Sequence, residues 1–235
     1  EEIYNNYENY LNIINNANHP LWKEVAEKII EWNPDYLGIS INTANYPVAK
    51  IVSKKLKQLK PSLVIVLGGV HATLAFENLI RETWFDLLIR GEGEFAFLEL
   101  VNGVPLEKIG GLSYRDKSGN PVHNIARSPI DPLDILPFPS RELYITPTHN
   151  MDLGQIITSR GCPFKCTYCA SSALWRDSKV RYRSVHDVVT ELEFISKKYQ
   201  SSLIYISDDT FTLKKNRTIE LCDEIMRRNL NITWK

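Results

Sequence analysis

Three of the four cysteines fall within eight residues, Cys162-Pro163-Phe164-Lys165-Cys166-Thr167-Tyr168-Cys169. This C-x3-C-x2-C spacing offers three thiols from one short loop, and thiolates are the ligands of iron–sulfur clusters and of structural zinc. No fourth cysteine lies in the loop. A cubane held there would keep one iron without a protein ligand, open to a substrate. Structural zinc would need a fourth ligand from His149, His186 or Cys222. Zinc modules pair two C-x2-C-like knuckles, where this chain has a single triple. Cys222 falls on a helical stripe with Ile219, Ile225 and Met226 and reads as a small core residue.

Charge around the loop is one-sided. Between residues 160 and 183 stand Arg160, Lys165, Arg176, Lys179, Arg181 and Arg183 against Asp177 alone. A positive field suits an anionic cluster, although any one of these side chains also fits a solvated face. A second point of chemistry is Asp208-Asp209, directly after a short apolar run at 203–207. A turn or helix start accounts for one such aspartate.

The rest of the composition narrows the setting. The 235 residues are 43% hydrophobic and 24% charged, and 28 Lys and Arg balance 28 Asp and Glu, so no global field favours nucleic acid. The longest aliphatic run, residues 63–67, is far too short to span a bilayer. No basic-then-apolar leader opens the chain, and four cysteines are too few for a disulfide framework, which points to a reducing, cytoplasmic setting. The chain starts at Glu1 and stops at Lys235 inside an apparent strand, the expectation for a fragment of a longer protein.

The elements that must position these groups follow from periodicity. Residues 1–18 place Ile3, Tyr7, Tyr10, Leu11 and Ile14 at helical spacing, His19-Pro20 breaks the pattern, and a second helix runs over 21–32. Strands are expected at 36–41, 63–67 and 85–89, with helices opened by Pro47, at 73–81 and after Gly91-Glu92-Gly93-Glu94. Residues 112–115 and 121–124 read as an appended hairpin. Strand–helix alternation of this kind gives a parallel, Rossmann-like doubly wound sheet. Pro129, Pro132, Pro137 and Pro139 mark a linker. Alternation then resumes with strands at 155–159, 203–207 and 231–234. The two helices between them are one capped by Ser184 with Asp187, and one carrying Ile219 and Ile225. These are the first units of a β/α barrel, in which functional loops follow the strands.

In the first half the turns at 40–45, 68–72 and 91–94 share the C-terminal edge of the three strands, where open α/β sheets bind ligands. Gly91-Glu92-Gly93-Glu94-Phe95-Ala96 satisfies G-x-G-x-x-A, but Glu92 and Glu94 would repel a pyrophosphate.

The segment Ile157-Thr158-Ser159-Arg160-Gly161-Cys162-Pro163-Phe164-Lys165-Cys166-Thr167-Tyr168-Cys169 resembles the signature of radical S-adenosylmethionine enzymes, including the aromatic Tyr168 before the third cysteine. The resemblance implies a 4Fe-4S cluster on Cys162, Cys166 and Cys169. Its open iron would chelate S-adenosylmethionine, whose reductive cleavage gives a 5′-deoxyadenosyl radical. It also implies cofactor contacts near Tyr168 and at Asp208 or Asp209. There Ser207-Asp208-Asp209 replaces the Gly-Gly-Glu stretch of many members. An external one-electron reductant of flavodoxin or ferredoxin type is implied too.

Ser40-Ile41-Asn42, Gly68-Gly69-Val70-His71-Ala72-Thr73 and Arg90-Gly91-Glu92-Gly93-Glu94 resemble the cobalamin-binding domain that precedes many such barrels. The resemblance implies pocket contacts at Ser40, Asn42, Gly68, Gly69, His71, Gly91, Glu92 and Gly93. The Asp-x-His-x-x-Gly segment that supplies a cobalt-ligating histidine in classical cobalamin proteins is absent, and His71 is not expected to take that role.

The expected organisation is a cobalamin domain over 1–127, a linker over 128–150 and the start of a radical barrel over 151–235. Radical methylation of a small-molecule or peptide substrate, or a related rearrangement or cyclisation, is the function implied. A radical enzyme without cobalamin and a non-catalytic iron–sulfur module are the alternatives. A methylthiotransferase would carry three further cysteines in its first domain, and residues 1–150 hold none.

Overall fold

The computed structural model describes residues 7–143, 152–175 and 179–235. Ile3, His149, Arg176 and Asp177 lie outside these residues. The chain divides into two compact units, Glu1–Pro129 and Ile130–Lys235.

The first unit opens with helices α1 (Tyr7–Asn15) and α2 (Pro20–Glu31). His19-Pro20 does more than end α1. Pro20 takes the first helical position of α2, and the Leu21 amide donates to His19 Nδ1 at 3.2 Å, capping it. Then follow β1 (Tyr36–Ser40), α3 (Tyr46–Leu59), β2 (Val64–Gly68), α4 (Gly69–Leu74), α5 (Phe76–Leu79), β3 (Leu87–Ile89), α6 (Glu94–Val101), β4 (Leu112–Arg115) and β5 (Pro121–His123). The expected helix at 73–81 is thus two short helices, and it begins four residues earlier.

These five strands form one sheet in the order β1-β2-β3-β4-β5. The first three are parallel, with Tyr36 opposite Val64 and Ser40 opposite Gly68. The hairpin is not a separate appendage, because β4 pairs antiparallel with β3 and carries the sheet outward. The uninterrupted apolar run of β2 is explained by burial on both faces. Ile65 and Leu67 join Leu56, Ala72, Ile80 and Phe85 on one face, and Val66 joins Leu87, Ala96, Leu100 and Leu112 on the other. β3 is shorter than its apolar run suggests. The Asp86 carboxylate takes the Ile65 amide at 2.7 Å and the Lys57 ammonium at 2.8 Å, replacing a rung of the ladder.

The second unit begins with the proline-rich segment, whose Ile130, Leu133 and Arg141 are buried. It continues with β6 (Gln155–Ile156), β7 (Ser159–Arg160), α7 (Ser171–Leu174), β8 (Arg181–Tyr182), α8 (Val185–Tyr199), β9 (Leu203–Ile206), α9 (Lys215–Arg227) and β10 (Thr233–Trp234). β6, β9 and β10 form a parallel sheet with β9 in the middle, so sheet order follows chain order as in a β/α barrel. β7 leaves that sheet and pairs antiparallel with β8. Ser184 caps α8 by accepting the Asp187 amide at 3.1 Å. Val188, Val189, Leu192 and Ile195 of α8 pack with Ile156, Ile204, Leu221 and Ile225. On α9 the buried face is Leu221 and Ile225, while Ile219 and Met226 are exposed and Cys222 is half-buried. The sequence stripe was therefore rotated by part of a turn. Among the described residues no helix is long and apolar enough to cross a membrane.

Candidate cofactor sites

The cysteine loop leaves β7 through Gly161, whose φ of +107° belongs to glycine. A Cβ there would lie 2.7 Å from the Lys179 carbonyl oxygen, so the loop can pass this point only without a side chain. Cys162 and Cys169 are half-buried, Cys166 is exposed, and all are free thiols. The Cys169 amide donates to the Cys166 carbonyl at 3.1 Å, turning the second and third cysteines back on each other. Ser171 holds the Cys169 thiol below its ordinary pKa through its side chain and its backbone N–H, the latter at 3.5 Å from Sγ. Such a contact favours the thiolate, the form that binds metal. The Thr210 hydroxyl lies 3.6 Å from Cys162 Sγ. Tyr168 is 91% exposed beside these thiols.

Among the described residues no three His, Cys, Asp or Glu side chains gather closely enough to hold a single metal ion. A cubane takes each thiolate on a different iron and so spreads its ligands wider than a tetrahedral ion does. Among the described residues the donor set is three free thiols without a fourth partner, which fits a cluster with one open iron.

The backbone leading into the loop is held mainly by side chains. Between β6 and β7 the chain departs from the sheet. The Asp208 carboxylate takes the amides of Thr158 and Ser159 at 2.6 and 3.1 Å and both their hydroxyls at 2.6 Å. Arg217 donates to the Thr158 carbonyl at 3.1 Å and to the Arg183 carbonyl at 3.0 Å. Arg183 donates to the Ile157 carbonyl at 2.9 Å, and Arg141 to that of Gln155 at 2.8 Å. Both arginines also grip Glu191, which is 1% exposed, at 2.6 Å from Arg141 and 2.5 Å from Arg183. Burial lowers the pKa of Arg217, and the Asp208 charge works against that shift.

Several expected charges are thereby reassigned. Lys179 pairs with Asp131 at 2.7 Å, Arg181 is buried and donates to the Ile130 carbonyl at 2.5 Å, and Arg183 is held as above. These three brace the fold around the loop. The two aspartates separate clearly. Asp208 faces inward onto Thr158 and Ser159, whereas Asp209 is exposed and accepts the Trp175 indole N–H at 2.9 Å. The roles of Thr158, Ser159, Thr210, Trp175 and Arg217 had no signal in the sequence, since each partner lies tens of residues away.

In the first unit the three turns meet along the C-terminal edge of β1, β2 and β3. Gly69 has a φ of +89°, and a Cβ there would lie 2.8 Å from both the Ile41 carbonyl oxygen and Ser40 Oγ. The Gly69 turn therefore closes against the end of β1 with only glycine between. Gly68 and Gly91 are the opposite case: each would project a Cβ into open space, leaving bare backbone for a ligand to approach. Thr73 ties two turns together, donating to the Gly69 carbonyl and accepting the Gly91 amide, both at 2.9 Å. His71 lies 3.2 Å from the Thr43 hydroxyl and 4.9 Å, ring to ring, from Tyr46. Asn42 and Asn45 exchange amide and side-chain hydrogen bonds at 2.7 and 2.9 Å, so the Asn42 oxygen is occupied within its own turn. Gly93 precedes α6, and Glu92 is half-buried beside it. A cradle with two bare glycines and no side chain over them fits a flat ligand lying on the sheet edge.

Comparison with known proteins adds to this geometry. The B12 binding domain family matches residues 9–101, and the Radical SAM superfamily matches residues 156–234. The chain is 35% identical to an uncharacterized methyltransferase of Pyrococcus horikoshii, over 91% of this chain and 48% of that protein. It is 31% identical to an anaerobic magnesium-protoporphyrin IX monomethyl ester cyclase of Rubrivivax gelatinosus, over 90% of this chain and 40% of that protein. The chain thus spans less than half the length of these relatives. Its fold is similar to the cobalamin-dependent S-adenosylmethionine radical enzyme OxsB, solved with aqua-cobalamin and S-adenosylmethionine bound. The TM-score is 0.67 at 21% identity, covering 91% of this chain and 31% of that one.

Proposed function

For a chain that belongs to the cobalamin-dependent radical S-adenosylmethionine family, we propose radical methyl transfer as the function, with a 4Fe-4S cluster, S-adenosylmethionine and cobalamin as cofactors. The observation that carries this reading is the loop of three free thiols without a fourth ligand, in a chain that also holds the glycine cradle. Bound in these places, the cluster would supply the electron that cleaves S-adenosylmethionine, and cobalamin a methyl group to transfer.

The chain's own contributions are specific. Cys162, Cys166 and Cys169 would hold three corners of the cluster, with the Ser171 contact favouring the Cys169 thiolate. Asp209, exposed next to Trp175, is the carboxylate available to a cofactor ammonium, and Tyr168 is free to lie against an adenosyl group. Ser40, Asn42, Gly68, Gly69, His71, Gly91, Glu92 and Gly93 form the cobalamin edge, where Gly68 and Gly91 allow close approach and His71 lines the pocket. We assign residues 1–127 to the cobalamin domain, 128–150 to a linker and 151–235 to the radical domain. The partners we propose are a small-molecule or peptide substrate and a flavodoxin- or ferredoxin-like reductant in the cytoplasm, with no nucleic acid.

The test is elemental analysis after anaerobic reconstitution with iron, sulfide and hydroxocobalamin and then desalting. About four iron per chain with stoichiometric cobalt is the expected result. Cys162→Ala should lose most of the iron. Zinc in place of iron would overturn the reading. With both cofactors loaded, transfer of a labelled methyl group separates methylation from ring closure without transfer.

A further inference from the structure

The Asp208 carboxylate has about four acceptor positions, and the structure fills all of them: two amides and two hydroxyls, from Thr158 and Ser159. Both residues lie in the few residues between β6 and Cys162. Two residues after Asp208, the Thr210 hydroxyl reaches Cys162 Sγ. One short segment following β9 therefore holds the entry to the cysteine loop by its backbone and touches the first thiol.

From this we infer that Asp208 is a positioning residue for the cysteine loop and not a ligand of the cofactor. The inference rests on the reading of the three cysteines as cluster ligands. Charge-assisted bonds to backbone N–H groups are among the stronger hydrogen bonds, and they hold the start of β7, a two-residue strand whose partner is the equally short β8. With the carboxylate removed, two amides and two hydroxyls at a nearly buried turn lose their acceptor. The turn then loosens, and with it the placement of Cys162. A carboxylate saturated in this way has no lone pair left for a cofactor ammonium.

Asparagine separates acceptor geometry from charge. Its Oδ1 can take both amides, and its Nδ2 can donate to the two hydroxyls, which rotate to accept. The experiment measures iron per chain after anaerobic reconstitution without S-adenosylmethionine, for the wild type, Asp208→Ala and Asp208→Asn. Thermal melts of the metal-free proteins and spin-resonance spectra of the reduced clusters, with and without S-adenosylmethionine, complete it. Asp208→Ala should fall below half the wild-type iron at a temperature where its metal-free protein, whose melt the four lost hydrogen bonds lower, is still folded. Asp208→Asn should regain most of the iron and keep the S-adenosylmethionine-induced spectral change.

Wild-type iron in Asp208→Ala, with only the spectral change lost, would overturn the inference and make Asp208 a cofactor contact. Failure of Asp208→Asn to regain iron would overturn it as well, since charge and not acceptor geometry would then matter. If Asp208→Ala does not fold, the pair Thr158→Val and Ser159→Ala, which removes the hydroxyl partners from the other side, decides in its place. Reduced iron in that pair supports the inference, and unchanged iron overturns it. A wild-type chain that takes up no iron fails at the earlier step, the assignment of the cysteines, and is distinguished in this way.

Discussion

Glu191 shows how much of the second unit depends on single residues. It is 1% exposed and lies between Arg141, equally buried, and Arg183. Each arginine also donates to a backbone carbonyl on the approach to the cysteine loop, Arg141 to one in β6 and Arg183 to one just after it, so the trio fixes backbone as well as balancing charge. Removing one member of a buried ion pair leaves an uncompensated charge, which costs about 3–5 kcal/mol. Glu191→Ala strands two guanidinium groups at once. It should lower the urea midpoint of the second unit by an amount corresponding to that range, and speed hydrogen exchange over residues 155–160. Glu191→Gln, which keeps one acceptor and the shape, should cost less. A midpoint that does not move in either variant would show that the arginines find water instead.

Among the elements, the contrast between two glycine turns is sharper than their sequences suggest. Gly69 and Gly91 both have positive φ, at +89° and +77°. An alanine at Gly91 meets open space and bears only the left-handed backbone cost of about 1–2 kcal/mol. An alanine at Gly69 bears that cost and also drives its methyl into the Ile41 carbonyl and Ser40 Oγ, forcing β1 and the β2–α4 turn apart. Gly69→Ala should therefore destabilise the first unit clearly more than Gly91→Ala in urea denaturation; the opposite order would refute this account of the cradle. The parallel sheet, its turns and the cysteine loop were legible because hydrophobic period, glycine and proline punctuation and cysteine spacing are local signals. The break between β6 and β7 was not. Gln155-Ile156-Ile157-Thr158-Ser159 has the composition of a strand, but Asp208, Arg183 and Arg217 satisfy its backbone from 26 to 59 residues away. For the same reason the sequence could not choose between Asp208 and Asp209. On α9 the apolar stripe was misplaced because Ile219, Cys222, Ile225 and Met226 recur at helical spacing, while the buried face, Leu221 with Ile225, shares only Ile225 with it.

For the whole molecule, each compact unit contains its own hydrophobic core and its own candidate cofactor site. No residue of the glycine cradle lies in the second unit, and none of the three loop cysteines lies in the first. Ligand uptake should therefore be encoded separately, even though the proposed reaction needs both cofactors together. Gly69→Ala, which disturbs the end of β1, should lose cobalt while retaining wild-type iron. Cys162→Ala should lose iron while retaining cobalt, because no cobalamin contact proposed here passes through the cysteine loop. Metal analysis of both variants, reconstituted side by side, reads the two halves independently. Loss of cobalt in Cys162→Ala would mean that cobalamin binding requires the assembled cluster, and a cradle built from residues 40–93 would then be insufficient. Loss of iron in Gly69→Ala would place the dependence in the other direction and make the first unit a support for the second. Retention of the untouched cofactor in both variants leaves turnover as the one property that needs the two units at once.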